Sequence, residues 1–128
     1  MKTILVAEDE EDLRDLLVMT LENPAYRIVE AADGEAALKF IDADPPDAVI
    51  LDWMMPKKSG IDVAHTIRAN PRLKHIPIIM LTAKDQGCDQ ERGREVGVCA
   101  YFVKPFSPLR LLDTVHKVLA KTESTSSR

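Results

Sequence analysis

The chain has no apolar run of membrane-spanning length. Its start lacks the basic-then-apolar layout of a signal peptide, because Met1-Lys2-Thr3 leads straight into a short apolar stretch. A cytoplasmic location is therefore the default expectation. Cysteine is scarce: Cys88 and Cys99 have neither metal-type spacing nor a framework of partners, and both are read as free thiols. Positive charge is not in excess. A net charge of -4 gives no strong field to draw nucleic acid, so neither direct nucleic-acid binding nor membrane contact is expected. No internal repeat and no second domain is visible. What is there is ordinary for one soluble domain with a single core: 128 residues, 45% hydrophobic and 30% charged.

Four short apolar runs each end in a polar group. Ala48-Val49-Ile50-Leu51 runs into Asp52, Ile4-Leu5-Val6-Ala7 into Glu8-Asp9, Ile78-Ile79-Met80-Leu81 into Thr82, and Tyr101-Phe102-Val103 into Lys104-Pro105. Continuous apolar runs of this length read as strands buried on both faces, as in a parallel sheet covered by helices. A charge inside such a sheet would be costly, so Asp52 belongs at a strand end. Tyr26–Glu30 is a weaker strand whose mixed polarity suggests an edge.

Helical patterns fall between the strands. Leu13, Leu16, Leu17 and Leu21 line one face before Asn23-Pro24, and Ala36, Ala37, Phe40 and Ile41 line another after the N-cap candidate Asp33. Ser59 and Asp62 have capping-box spacing ahead of Ile61, Ala64 and Ile67. Residues 85–96 are read as a helix with Gly97 as its C-cap. Ser107-Pro108 opens a last helix with Leu111, Leu112, Val115, Val118 and Leu119 inward. Residues 1–121 are expected to form the domain and 122–128 a flexible tail or the start of a linker. Alternating strands and helices give a parallel α/β sheet with right-handed crossovers.

In such a sheet the carboxyl ends of the strands share one edge, where ligands bind. That edge would gather Glu8, Asp9, Asp52, Thr82 and Lys104. Three crowded carboxylates repel and raise one another's pKa, so something positive must offset them. Lys104 supplies one charge, and a hard divalent cation, Mg²⁺ or Mn²⁺, would supply two. Taken singly, each residue has a plainer reading: Asp52 a helix cap, Glu8-Asp9 a solvated helix start, Thr82 a turn residue, Lys104 a surface charge. Their conjunction is a constellation for phosphoryl transfer.

The segments Ile4–Glu10, Val49–Pro56 with Ser59-Gly60, Pro77–Ala83 and Tyr101–Phe106 resemble the receiver domain of two-component response regulators, in order and spacing, over residues 3 to about 120. The resemblance implies a single-domain flavodoxin-like (βα)5 fold with strand order 2-1-3-4-5. It implies Asp52 as the acceptor of a phosphoryl group from a phosphohistidine, so the partner would be a sensor histidine kinase or histidine phosphotransfer protein. Asp9, Asp52 and the Met54 carbonyl would hold Mg²⁺, with Glu8 acting through water. Thr82 and Lys104 would stabilise the phosphoryl group, Thr82 and Tyr101 would form the switch, and Pro105 would follow a cis peptide bond. Such a chain catalyses its own phosphorylation and dephosphorylation without being a turnover enzyme, and it controls an output protein or a fused effector domain.

The resemblance implies that Met54 and Lys84 occupy the positions where the family tunes phosphoryl loss. Met54 cannot orient a water, which suggests a persistent phosphoryl group. Cys99-Ala100, Arg110 and Thr114 replace the charged residues with which regulators bearing winged-helix DNA-binding domains build a dimer face, so that dimer is not expected. A free-standing regulator and a receiver cut from a longer protein both suit the sequence. Three rival classes match the sequence less well. A haloacid-dehalogenase-type phosphatase needs a second Asp where Met54 stands. A flavodoxin-like electron carrier needs a phosphate cradle where the acidic run stands. A pseudo-receiver would have lost the acceptor or the lysine.

Overall fold

The computed structural model describes residues 1–82 and 97–126, with side chains to residue 120. Five strands, β1 (Lys2–Ala7), β2 (Tyr26–Ala31), β3 (Ala48–Asp52), β4 (Ile78–Thr82) and β5 (Ala100–Val103), form one parallel sheet of order β2-β1-β3-β4-β5. Among the described residues there are four helices: α1 (Glu11–Leu21), α2 (Gly34–Ala43), α3 (Gly60–Ala69) and α4 (Pro108–Ser126). The helix expected over 85–96 lies outside the described residues, as do Ala83, Lys84 and Cys88.

Strand alternation divides the core in two. Leu5, Ala7, Val49, Leu51, Ile78 and Met80 point to one face, which α2 and α3 cover with Ala37, Ile41, Ile61, Val63, Ala64 and Ile67. Ile4, Val6, Ala48, Ile50, Ile79 and Leu81 point to the other, which α1 and α4 cover with Leu17, Leu21, Leu111, Val115 and Leu119. Both faces of β1, β3 and β4 are therefore dry, and among the described residues the polar side chains that are buried are those of Glu8, Asp52 and Thr82. All three stand at or just past the carboxyl end of a strand. β2 lies at one edge, as its mixed pattern predicts, and β5 at the other.

The caps match their sequence signals. The Asp33 carboxylate accepts from the Ala36 amide at 2.8 Å, Ser59 and Asp62 close a reciprocal box, and Ser107 Oγ accepts from the Arg110 amide at 3.4 Å. Two expectations need correction. Leu16, placed on the inner face of α1, is 43% exposed. Ala36, placed inward on α2, is exposed as well. Each precedes a buried residue (Leu17, Ala37), and one step along a helix turns about 100°, off the covered face. Helix α4 runs on to Ser126. Ser and Thr lower helix propensity by only tenths of a kcal/mol, and no Gly or Pro interrupts.

The loop from β3 to α3 is tightly held. Lys57 has φ 69 and the Lys58 amide donates to the Pro56 carbonyl at 2.8 Å, a γ-turn of the uncommon positive-φ kind. A Cβ on Gly60 would lie 2.3 Å from the Asp52 carbonyl oxygen, and one on Gly34 would lie 2.2 Å from that of Lys58. Gly60→Ala is expected to destabilise by about 1–3 kcal/mol, the usual cost of overpacking. The check is the urea midpoint, and an unchanged midpoint would show that the backbone around Asp52 yields freely.

Candidate functional site

The register brings the polar strand ends together. Ala7 pairs with Leu51, Asp52 with Leu81 and Thr82 with Val103, so Glu8-Asp9, Asp52, Thr82 and Lys104 emerge at one edge. Glu8 extends the strand by one rung, its amide donating to the Ala31 carbonyl at 3.0 Å. Lys104 stays in line with β4 through its amide, 2.8 Å from the Thr82 carbonyl.

The side chains converge from there. Lys104 Nζ donates to Asp52 Oδ2 at 2.7 Å and to Glu8 Oε1 at 3.3 Å. The Met54 amide donates to Asp52 Oδ1 at 3.2 Å. The Glu10 amide donates to Glu8 Oε2 at 3.1 Å. Asp52 is 3% exposed and Glu8 fully buried, whereas Asp9 is exposed. One carboxylate oxygen from each of Glu8, Asp9 and Asp52 lies within 4.8 Å of the others.

Negative charge exceeds positive charge here. Burial, and then the hydrogen bond with Asp52, push the Glu8 carboxyl up to about 8 from 4.5, against the opposing pull of the Glu10 amide. Burial alone would lower the pKa of Lys104, but the hydrogen bond and charge of Asp52, joined by Glu8, outweigh it and raise it. An acidic set with a proton to give up and one exposed oxygen donor fits a hard divalent cation better than it fits the lysine alone.

The remaining sequence candidates are placed as follows. Thr82 is 1% exposed at the end of β4. Tyr101 is half-buried, against the core on the α2/α3 side of the sheet. The Lys104–Pro105 peptide bond is cis. Met54 is 61% exposed. Trp53 is 4% exposed, with its amide donating to the Leu81 carbonyl at 2.8 Å. Sequence reasoning missed Arg14, whose Nη1 donates to the Glu8 carbonyl at 2.8 Å. A contact with a backbone carbonyl leaves no side-chain pattern to find.

Residues 4–116 match the family model of the response regulator receiver domain. The alkaline phosphatase synthesis transcriptional regulatory protein PhoP of Bacillus subtilis is 42% identical over 122 residues, which are 95% of this chain and 50% of that protein. The chain spans about half the length of the curated relatives it matches. The chemotaxis response regulator CheY4 of Vibrio cholerae superposes with TM-score 0.84 at 32% identity, covering 92% of this chain and 98% of that one. The Mn(2+)-bound form of response regulator Rcp1 gives TM-score 0.79 at 28% identity, covering 92% and 91%. Among the described residues no helix is long and apolar enough to cross a membrane.

The raised Glu8 pKa gives a pH prediction for the protein in EDTA. A carboxyl with a folded pKa above its unfolded one contributes stability that is complete below about 4.5 and lost as pH rises through about 8. Stability should fall across that window by up to about 1.4 kcal/mol per pH unit, the limit for one proton. Urea unfolding at a series of pH values measures it, and Glu8→Gln should remove the slope.

Proposed function

Because this chain belongs to the response regulator receiver domain family, we propose that it is a phosphorylation-dependent switch of a two-component system that accepts a phosphoryl group on Asp52. The observation that carries the reading is the Lys104 ammonium held 2.7 Å from Asp52 Oδ2, with Glu8 and Asp9 beside it. In the step itself, a carboxylate oxygen of Asp52 bonds to phosphorus while the bond from phosphorus to the donor's imidazole nitrogen breaks, and the nitrogen leaves with the electron pair. A sensor histidine kinase or a histidine phosphotransfer protein would supply that group.

A carboxylate is a weak nucleophile, and positioning with charge stabilisation carries most of a phosphoryl transfer. The Met54 amide orients one oxygen of Asp52, and Lys104 stands beside the other, where it offsets the charge of the new acyl phosphate. Asp9 and Asp52, with the Met54 carbonyl, would hold Mg²⁺ or Mn²⁺, and Glu8 would act through water. When bound, the ion supplies positive charge to the transferring phosphoryl oxygens. The donor set supports this, and a solved relative, Rcp1, is described in an Mn(2+)-bound form. The Thr82 hydroxyl would donate to a phosphoryl oxygen, and Tyr101 would repack as Thr82 moves, a population shift biased by contacts made only to the phosphate. The output would be a separate protein or an attached effector domain.

Trp53 adjoins the acceptor in sequence and is the only tryptophan. Its fluorescence is expected to change on adding Mg²⁺, and again on adding beryllofluoride or a small phosphoryl donor. Asp52→Asn should abolish the second response and the mass gain of one phosphoryl group. A folded wild type silent to both additions would sink the reading. Met54 offers no polar side chain to orient a water against the acyl phosphate, so the label should persist. Met54→Asn is expected to shorten the lifetime of the phosphorylated protein severalfold, and equal decay in both proteins would remove Met54 as the cause.

A further inference from the structure

Arg14 has no part in the chemistry above, yet it touches the backbone of the acidic site. We propose that Arg14 is a positioning residue. By holding the Glu8 carbonyl, it fixes the peptide plane between Glu8 and Asp9, and with it the directions in which the two carboxylates leave the chain. This rests on the reading of Glu8 and Asp9 as cation-binding residues.

The sheet ladder holds Glu8 by its amide only, through the Ala31 carbonyl at 3.0 Å. The Glu8 carbonyl lies beyond it. That carbonyl and the Asp9 amide belong to one rigid plane, which turns about ψ of residue 8 and φ of residue 9. Left to water, the plane could tilt and swing the Asp9 side chain with it. Arg14 Nη1 takes that carbonyl at 2.8 Å.

The arginine is itself held. Its amide donates to the Glu10 carbonyl at 2.9 Å, and the Glu10 amide donates to Glu8 Oε2 at 3.1 Å. Glu8, Glu10 and Arg14 thus form a closed ring of hydrogen bonds that braces the end of β1 against the first turn of α1. Arg14 Nε also meets Glu30 Oε1 at 3.3 Å, with the two side chains 17% and 46% exposed. An ion pair that open contributes little by itself. The carbonyl contact is therefore the one that acts on the site: it is the shorter of the two, 2.8 Å against 3.3 Å, and the one that reaches the Glu8 peptide.

The test is a Mg²⁺ titration followed by Trp53 fluorescence, with urea unfolding measured separately. Arg14→Met keeps most of the stem and loses the donors. It is expected to weaken Mg²⁺ binding about tenfold, as loss of a group that orients ligands commonly does. Arg14→Gln, polar but shorter, should show the same loss and serves if the methionine variant does not fold. Arg14→Lys, which can still donate to the carbonyl, should recover part of the affinity. Glu30→Gln should stay within about twofold of wild type, because it removes only the exposed pair. Unchanged Mg²⁺ affinity in folded Arg14→Met or Arg14→Gln would overturn the proposal, even with a lowered urea midpoint. Equal losses in Glu30→Gln would overturn it too, by assigning the effect to the ion pair. A wild type that gives no Mg²⁺ response would instead overturn the cation-site reading, and this inference with it.

Discussion

The contact between Lys104 and the two buried acids is the constraint around which the molecule is arranged. Glu8 and Asp52 are drawn almost out of water, and one ammonium meets both. One positive charge faces two acids, and burial first, then the hydrogen bond with Asp52, raise the Glu8 pKa. A site arranged for stability alone would gain from apolar residues here, since a buried ion pair often contributes no more than well-packed hydrophobic groups would. Charge is concentrated where the fold can least afford it, which is a common mark of function.

The sheet explains why this is possible at all. β1, β3 and β4 are dry on both faces, so polar groups can appear only where the strands stop. Parallel pairing makes them stop at one edge. The fine placement then falls to the backbone. Gly60 lets α3 begin against the Asp52 carbonyl, and Gly34 lets α2 begin under the γ-turn. Lys57 Nζ, on that turn, lies 3.7 Å from Asp33 and 3.8 Å from Glu35, exposed pairs that add little energy but share one direction. The loop that carries the Met54 amide to Asp52 is thus set by steric contact more than by charge.

Much of this was legible in the sequence. The inner strands were clear because two dry faces require unbroken apolar runs, and the edge β2 was clear because one dry face does not. Caps at Asp33, Ser59 and Ser107 were legible because capping chemistry is local. Leu16 and Ala36 misled, since an apolar residue beside a buried stripe looks like part of it. Leu73 and Ile76, buried between α3 and β4, lie where no period exists to reveal them. Arg14 and the Met54 amide were invisible for a different reason. One partner in each contact is backbone, and every residue has the same backbone.

On the proposed reading, the connection from site to surface follows from strand order. Thr82 and Lys104 end neighbouring strands and are joined by the 2.8 Å bond from the Lys104 amide to the Thr82 carbonyl. A phosphoryl group on Asp52 would draw on both side chains at once, so its pull would fall on β4 and β5 together and not on β3 alone. β5 is the more compliant of the two: all four of its residues are only half-buried, whereas all five of β4 are buried. Tyr101 stands on β5 opposite Met80, where a small movement meets the least packing resistance. The edge strand beside β4 is therefore the one through which a local change in charge would reach the outer surface.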